Sequence, residues 1–490
     1  MSYLPKSASK SEQNLLITVI VFACMLFCCA YTSPIYPYYN NSDSAIFMLI
    51  GKGITEGKLC YVDLFDHKGP ILFFIEALGW KIGGRTGIWL IECIAVTASA
   101  FAIVGICKEL KSKFTVPLIA SAAVLFFTFS HGNLSENYSL PFIYISLYFA
   151  VRYYMSKAER HSPWYGLFYG VAFGIIALIR INNALIICSL VLCIAVDLAV
   201  KKQYKNLLAN IIAGVAGIAI VAVPICVYFY VHGALYDMLY ATFLYNLLYA
   251  ESSSHAAILS NRFPMFVVLY APLLFSIVVF VLRQKQMSKS MFIALMVTSG
   301  LTLMMLIYAN IYEHYFTLAI PVFSVAVALA AKDMNLKTIF KSVREKNGLL
   351  VVLVVIVAVY CILSAYRAAT PMYKGYLTNI SYDRYHQMNE SADIIPQEER
   401  NSVIGFEIPP EWYMDCGIMP CYRYYILQHW WTTPYLDVYG EFLDYIETEH
   451  PTWIITRKKI DDEGLTQIIT KDYNKVEEND YARFYRYTGE

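Results

Sequence analysis

Apolar stretches close to the length of a bilayer span recur along almost the whole chain, and no other feature limits its fold so strongly. They run at about 14–32, 87–107, 115–131, 138–155, 164–180, 183–200, 206–231, 265–282, 291–309, 315–331 and 349–367. A helix needs about 20 mostly apolar residues to cross a bilayer. Helices and closed barrels are the structures that satisfy their own backbone groups there. With 58% hydrophobic and only 15% charged residues over 490 positions, the chain is too apolar for a soluble protein of that length. The expected fold is a polytopic α-helical integral membrane protein with about eleven transmembrane helices. Residues 69–84, GPILFFIEALGWKIGG, are apolar but short, and Glu76 interrupts them. They fit an interfacial or re-entrant helix better than a span.

The cations set the expected orientation. With the N-terminus (Lys6, Lys10) in the cytoplasm, they collect in alternate loops. The inner loops hold Lys108, Lys111 and Lys113; Arg152, Lys157 and Arg160; Lys201, Lys202 and Lys205; Arg283, Lys285 and Lys289; and Lys332, Lys337, Lys341, Arg344 and Lys346. The outer loops hold fewer: Lys52, Lys58, Lys68, Lys81, Arg85, Arg180 and Arg262. This asymmetry obeys the positive-inside rule. The loop from Asp43 to Lys68, the turn near 131–137, the 232–262 loop and the tail after 367 are then expected to face outward. The first span reads as a retained anchor, since no small-residue cleavage site precedes the charged loop. The expected location is the plasma (inner) membrane, multi-pass, with any active surface on the extracytoplasmic side.

Composition changes after about residue 367. Residues 368–490 carry many charges and tyrosines, with strand-like runs at 401–408 and 452–456, helical patterns at 438–449 and 461–471, and a closing RFYRYTG. They are expected to form a small C-terminal extracytoplasmic α/β domain. Residues 1–367 would form the transmembrane domain, with its first extracytoplasmic loop at 33–86. A net charge of +1 gives no reason to expect nucleic acid as a partner. No Gly-rich phosphate loop, Walker motif or G-x-S-x-G elbow occurs. Cys416 and Cys421 are the pair placed to form a disulfide or to remain free thiols. No Cys/His spacing matches a zinc site.

Against this apolar background, residues 61–70 read YVDLFDHKGP and gather Asp63, Asp66, His67 and Lys68 before Gly69-Pro70. Charges kept beside a bilayer point to function. Asp43 lies upstream, in a stretch that opens an expected helix, SAIFMLIGKGI; Ser42, Asp43 or Ser44 would serve equally as its cap. As a functional group, Asp43 is a general base for a hydroxyl attacking a sugar carbon. One base suffices when the leaving group is a phosphate, which needs cations rather than the proton that a glycosidase acid supplies. Lys68, His67 and Arg180 are the candidates to hold that phosphate. Glu136, His314 and Tyr315 are further polar residues expected at the same membrane face. Asp43 and Asp63 could donate oxygens to a divalent cation, although nothing in the sequence requires one.

These motifs resemble those of the polytopic GT-C glycosyltransferases, which take sugar from a polyprenyl-phosphate carrier. The nearest likeness is to the bacterial branch related to protein O-mannosyltransferases and the lipid A aminoarabinose transferase. It rests on Asp43 after the first span; on Gly51, Gly53, Lys58, Leu59, Tyr61 and Asp63 leading into F-D-H-K-G-P; and on N-L-S-E-N-Y-S-L-P, R-I-N-N-A and E-H-Y-F-T-L-A-I-P further along. The resemblance implies that Asp43 is the catalytic or acceptor-orienting carboxylate and that Lys68 holds the lipid phosphate. Ser44 stands where many members carry a second acid, and Lys-Gly-Pro replaces their Lys-Pro-Pro. The implied reaction is inverting transfer of a sugar from a polyprenyl-phosphate donor to a cell-envelope glycan, lipid or protein. A lipid-linked oligosaccharide ligase or polymerase, and a polysaccharide transporter or flippase, are the competing readings. The outer 232–262 loop carries one Arg, and mid-span charge is scarce apart from Glu92, which rank both lower.

Overall fold

A computed structural model describes residues 20, 22–36, 39, 42–129, 131–252, 263–308, 312–332, 348–372, 392–426, 428, 429, 436–457, 460, 462–480 and 482–489. Each apolar stretch coincides with a helix in this part of the chain. The helices are 22–29, the second half of Pro70–Glu109, Thr115–Thr128, Ser135–Ser156, Pro163–Arg180, Leu185–Val200, Tyr204–Val231, Phe263–Leu282, Lys289–Tyr308, Ile320–Ala330 and Gly348–Met372. Among the described residues, five continuous helical stretches are long and apolar enough to cross a membrane. They are Pro70–Glu109, Pro163–Val200, Tyr204–Val231, Lys289–Tyr308 and Glu313–Ala330. Lys6, Lys10, Arg262 and the cations from Lys337 to Lys346 lie outside the described residues.

Two of these stretches are broken, and both breaks shape the site. Within Pro70–Glu109, Gly83 and Gly84 leave helical geometry. Gly84 does so at φ 58°, where a side chain would be strained. The chain then folds back: a Cβ on Gly87 would run into the Gly79 carbonyl oxygen. In a straight helix those residues would be about 12 Å apart. The 70–82 segment is therefore a short helix packed beside the span that follows it. The second break is at Arg180, whose extended backbone (φ −162°, ψ 115°) ends Pro163–Arg180 before a single turn, Ile181–Ala184. Leu185–Val200 returns along it, so that Lys201 Nζ reaches the Ala158 carbonyl at 3.3 Å. Arg180 is thus at the tip of a helical hairpin.

Burial varies in the way a bilayer demands. Ile320–Ala330 is enclosed along its whole length. Ser324 on it bonds Ser121 at 2.6 Å and Tyr144 at 2.7 Å, and Thr317 bonds Thr128 at 2.9 Å. Such bonds tie helices together where apolar association has no driving force. Tyr204–Val231, by contrast, exposes Leu208, Ile211, Ile212, Val215, Ile220, Val223 and Val227. A continuous apolar face of this kind needs hydrocarbon around it.

After residue 391 the chain forms a four-stranded mixed sheet, ordered β1-β2-β4-β3. β1 (Val403–Phe406) pairs parallel with β2 (Trp453–Arg457), which pairs antiparallel with β4 (Ala482–Tyr487). β3 (Tyr473–Glu478) closes the edge as a hairpin with β4. Leu436–Glu449 and Glu463–Asp472 are the helices of this unit, and Asp462 caps the second through the Leu465 amide at 2.7 Å. One apolar cluster runs from Phe47, Phe65 and Phe73 into Trp412, Tyr413 and Tyr425. The sheet unit is therefore packed onto the loop that carries the charged run. Cys416 is buried and Cys421 half-buried, and the two are not joined to each other in a disulfide.

Candidate active site

The loop between Ser42–Thr55 and Pro70 is folded around Tyr61, which takes up φ 73°. Its buried hydroxyl donates to the Lys68 carbonyl at 2.8 Å. Asp63 is consumed locally, since its carboxylate accepts from the Leu59 amide at 2.6 Å. It shapes the turn and does not join the other candidates. Phe65 N donates to the Arg423 carbonyl at 3.0 Å, so the sheet unit holds the loop from the other side. Asn246, beyond the π-helical turn Tyr240–Leu244, donates to the His67 carbonyl at 2.7 Å.

This clamping buries Asp66, His67 and Lys68 together. Lys68 Nζ lies 2.9 Å from His67 Nε2, 3.9 Å from Asp66 Oδ1 and 5.8 Å from the centre of the Phe47 ring. The Lys68 amide also donates to Asp66 at 3.0 Å. Burial, reinforced by the charges of Lys68 and Arg180, pushes the His67 pKa well below its ordinary value. His67 was expected as a second cation toward phosphate; held neutral, it instead accepts from the Lys68 ammonium. Burial raises the Asp66 pKa, as does the charge of Asp43, while Lys68 and the amides of residues 67 and 68 oppose the rise.

Gly69 carries Lys68 to Arg180. Its amide donates to the Ile179 carbonyl at 2.9 Å, and a Cβ on it would run into the Leu178 carbonyl oxygen. Arg180 pairs with buried Glu136 at 2.9 Å, donates to the Tyr315 hydroxyl at 2.6 Å and lies over the Tyr315 ring at 4.3 Å. Ser135 holds the other Glu136 oxygen at 3.0 Å. His314 packs edge-on to Tyr315, with ring centres 4.5 Å apart.

Asp43 lies one residue into Ser42–Thr55, in its first turn. It is inside the helix rather than at the cap, and the Ser42 hydroxyl is turned to Glu411 at 3.1 Å. Asp43 is half-buried and within electrostatic reach of Asp66, Arg180, His314 and Tyr315. Of the residues singled out in the sequence, the fold thus brings together Asp43, Asp66, His67, Lys68, Glu136, Arg180, His314 and Tyr315.

Other neighbours were not among the site candidates read from the sequence, although Glu92 stood out there as mid-span charge. Glu92 accepts from the Asn133 amide at 2.6 Å, Asn137 at 3.2 Å and Thr32 at 3.1 Å. Asn133 in turn donates to Ser44 at 2.9 Å, and its side-chain oxygen accepts from Tyr138 at 2.6 Å. The residue next to Asp43 is therefore anchored in the bundle. Asp415 accepts from the Tyr39 amide at 3.3 Å, and Arg85 donates to the Tyr36 carbonyl while lying over the Tyr39 ring at 5.1 Å. The Gly83-Gly84 pair immediately before Arg85 was a further hint.

The arrangement offers the Asp43 carboxylate within electrostatic reach of Arg180, and two cations, Lys68 and Arg180, on separate segments joined by the Gly69–Ile179 hydrogen bond. Among the described residues, no three His, Cys, Asp or Glu side chains come together as a metal site. Residues 5–374 match the family model described as the competence-induced protein Ccs4 N-terminal domain. No curated protein matches by sequence. Solved structures are similar over nearly the whole chain. ArnT from Cupriavidus metallidurans bound to undecaprenyl phosphate aligns at 12% identity and a TM-score of 0.59, covering 97% of this chain and 98% of that one. The apo state of the same protein gives 10% and 0.61 over the same shares. The archaeal oligosaccharyltransferase AglB from Archaeoglobus fulgidus, in complex with an inhibitory peptide and a dolichol-phosphate, gives 11% and 0.54. That alignment covers 98% of this chain and 75% of AglB. The chain thus shares the fold of ArnT and AglB over nearly its whole length, with helices among the described residues long and apolar enough to cross a membrane.

Proposed function

The chain belongs to the competence-induced protein Ccs4 N-terminal domain family, and we propose that it is an inverting membrane glycosyltransferase with a polyprenyl-phosphate sugar donor. Its acceptor is an extracytoplasmic glycan, lipid or protein of the cell envelope. The observation that carries this reading is the joining of Lys68 to Arg180 through the Gly69–Ile179 hydrogen bond, within the electrostatic field of Asp43. Undecaprenyl phosphate and dolichol-phosphate in similar structures support the same donor class.

In this mechanism Asp43 takes the proton of an acceptor hydroxyl, and the oxygen attacks the sugar's anomeric carbon from the face opposite the phosphate. The bond from that carbon to the phosphate oxygen breaks, and the lipid phosphate leaves with the electron pair. Lys68 and Arg180 neutralise the charge that develops on it. The phosphate needs no proton to leave, which is why one carboxylate is enough. Glu136 and Tyr315 fix the Arg180 guanidinium, and neutral His67 with Asp66 fixes the Lys68 ammonium.

The orientation in this reading is that given by the cations: about eleven spans, with the site and residues 368–490 on the extracytoplasmic side. The test is mass spectrometry of lipid co-extracted with the purified chain, followed by incubation with the recovered fraction. A polyprenyl-phosphate sugar that loses its sugar only in the presence of the protein is the expected result. Recovery of ordinary phospholipid alone, with no turnover of added polyprenyl-phosphate sugars, would overturn it.

A further inference from the structure

From the end of the bundle opposite Arg180, Pro163–Arg180, Leu185–Val200 and the start of Tyr204–Val231 line a half-open cavity of about 260 Å³. Two of these helices meet along glycines: a Cβ on Gly170 would run into the Gly214 carbonyl oxygen, and one on Gly217 into that of Leu167. Small residues permit such close approach in membranes. The third helix, Leu185–Val200, closes the space beside that seam.

Two polar groups reach the cavity without a partner. His161 and Tyr169 both line it, and they are 1% and 4% exposed. Among the described residues, neither His161 Nε2 nor the Tyr169 hydroxyl has a hydrogen-bond partner. His161 Nδ1 faces Asn210 Oδ1 at 2.7 Å, while Asn210 Nδ2 donates to the carbonyls of His161 and Asn206. Nδ1 therefore carries the proton, and burial keeps the ring neutral. Nε2 is left as a bare acceptor beside an unsatisfied phenol. The rest of the wall, including Phe173, Ile194 and Leu198, is apolar. Water fills polar cavities and leaves apolar ones dry, so it is a poor occupant here.

The surroundings favour a lipid. Val191 at the cavity and the neighbouring Val196 and Leu208 are exposed, so hydrocarbon is the adjoining medium. Exposed cations surround the polar end: Arg160 beside His161, Lys202 four residues after Leu198, and Lys205 two residues before Leu207, against one exposed acid, Glu159. Cations at a membrane surface attract anionic headgroups. Along Pro163–Arg180 this end is roughly 25 Å from Arg180, close to the thickness of the hydrocarbon core.

We propose that the cavity holds one acyl chain of an anionic phospholipid from the leaflet at this face, with the glycerol region at His161 and Tyr169 and the phosphate toward Arg160, Lys202 and Lys205. The occupant is distinct from the sugar donor and does not depend on the transfer reaction. Native mass spectrometry of the full chain in detergent, titrated with a phosphatidylglycerol or with the phosphatidylcholine of identical chains, tests this. The phosphatidylglycerol adduct is expected to dominate by at least about fivefold. Lys202→Gln with Lys205→Gln, which alters only exposed side chains, should bring it down to the phosphatidylcholine level. Ala195→Phe should fill the cavity and reduce both adducts; if it yields no folded monomer, Val191→Trp fills the cavity from its open edge. Equal adducts for the two lipids in the unaltered chain would overturn the proposal, as would a phosphatidylglycerol adduct indifferent to the lysine and cavity-filling substitutions.

Discussion

The Gly69 amide donates to the Ile179 carbonyl at 2.9 Å, with no room for a Cβ between Gly69 and the Leu178 carbonyl. This contact sets the spacing of Lys68, which precedes Gly69, and Arg180, which follows Ile179. Gly69→Ala must push the segments apart. The expected loss is roughly 1–3 kcal/mol of stability, as for overpacking elsewhere, with weaker binding of polyprenyl phosphate. Thermal unfolding and lipid binding of the purified variant would check both, and an alanine variant matching the parent in each would contradict this account of the contact.

Lys68 is expected to contribute through its charge. Lys68→Ala should reduce transfer by roughly 10²–10³, the scale seen when one preorganised donor to developing charge is removed. Lys68→Arg should recover part of this, because a planar guanidinium does not reproduce a compact ammonium. It must also replace the 2.9 Å contact to His67. Turnover of both variants at saturating donor, compared with their extracted yield of folded protein, separates chemistry from folding. Unchanged turnover in Lys68→Ala would remove the residue from the mechanism.

The bundle was legible in the sequence because a bilayer leaves few choices: long apolar runs have to be helices. The short helix before the second span was legible for the same reason, since Glu76 and the glycines that follow it break the run. β1 and β2 followed from buried, β-branched runs. β3 did not, because it is an edge strand whose residues after Tyr473 are exposed and, Val476 apart, polar, a composition that protects edges and reads as loop. In the site, Asp43, Lys68 and Arg180 could be nominated one at a time from charge near the membrane. Their joining could not, because it depends on a backbone contact at Gly69 that leaves no side-chain signal. The same holds for Asp63, which looked equal to Asp66 until its carboxylate was found in the turn at Leu59.

The orientation makes its own prediction. Residues 368–490 should lie on the side opposite the N-terminus, because the cations alternate between loops across an odd number of spans. Single cysteines placed at positions 6 and 440 of a cysteine-free chain should react with an impermeant maleimide from opposite sides of sealed vesicles. Labelling of both from one side would require an even number of spans.

The junction between the sheet unit and the site should loosen as pH rises. Burial lifts the Asp415 pKa from 3.8 to about 7; the Tyr39 amide opposes the rise, Glu411 adds to it, and Arg85 pulls it down. A carboxyl raised in this way favours folding in its protonated form. Its contribution is complete below about pH 4 and lost as pH climbs through about 7. Melting temperatures between pH 5 and 8 should fall more steeply for the parent chain than for Asp415→Asn, which cannot ionise. Parallel curves would show that Asp415 titrates normally.

Asp43 has two roles to distinguish, and the geometry makes the outcomes differ. A capping acid can be replaced by Asn at little cost, because Asn caps about as well as Asp. But the helix starts at Ser42, which puts Asp43 inside the first turn. There its charge favours the helix N-terminus by at most a few tenths to about 1 kcal/mol. Asp43→Asn should therefore leave the fold almost as stable as before while removing the group that accepts the acceptor's proton. Turnover should fall by roughly 10²–10⁴, the usual effect of losing a general base, with donor binding through Lys68 and Arg180 preserved. Asp43→Glu, which keeps the carboxylate but moves it by one methylene, should recover a measurable fraction. If Asp43→Asn kept near-normal turnover at saturating donor and acceptor, the carboxylate would be only a favourable charge at a helix end, and the base would have to be sought among the other acids of the site.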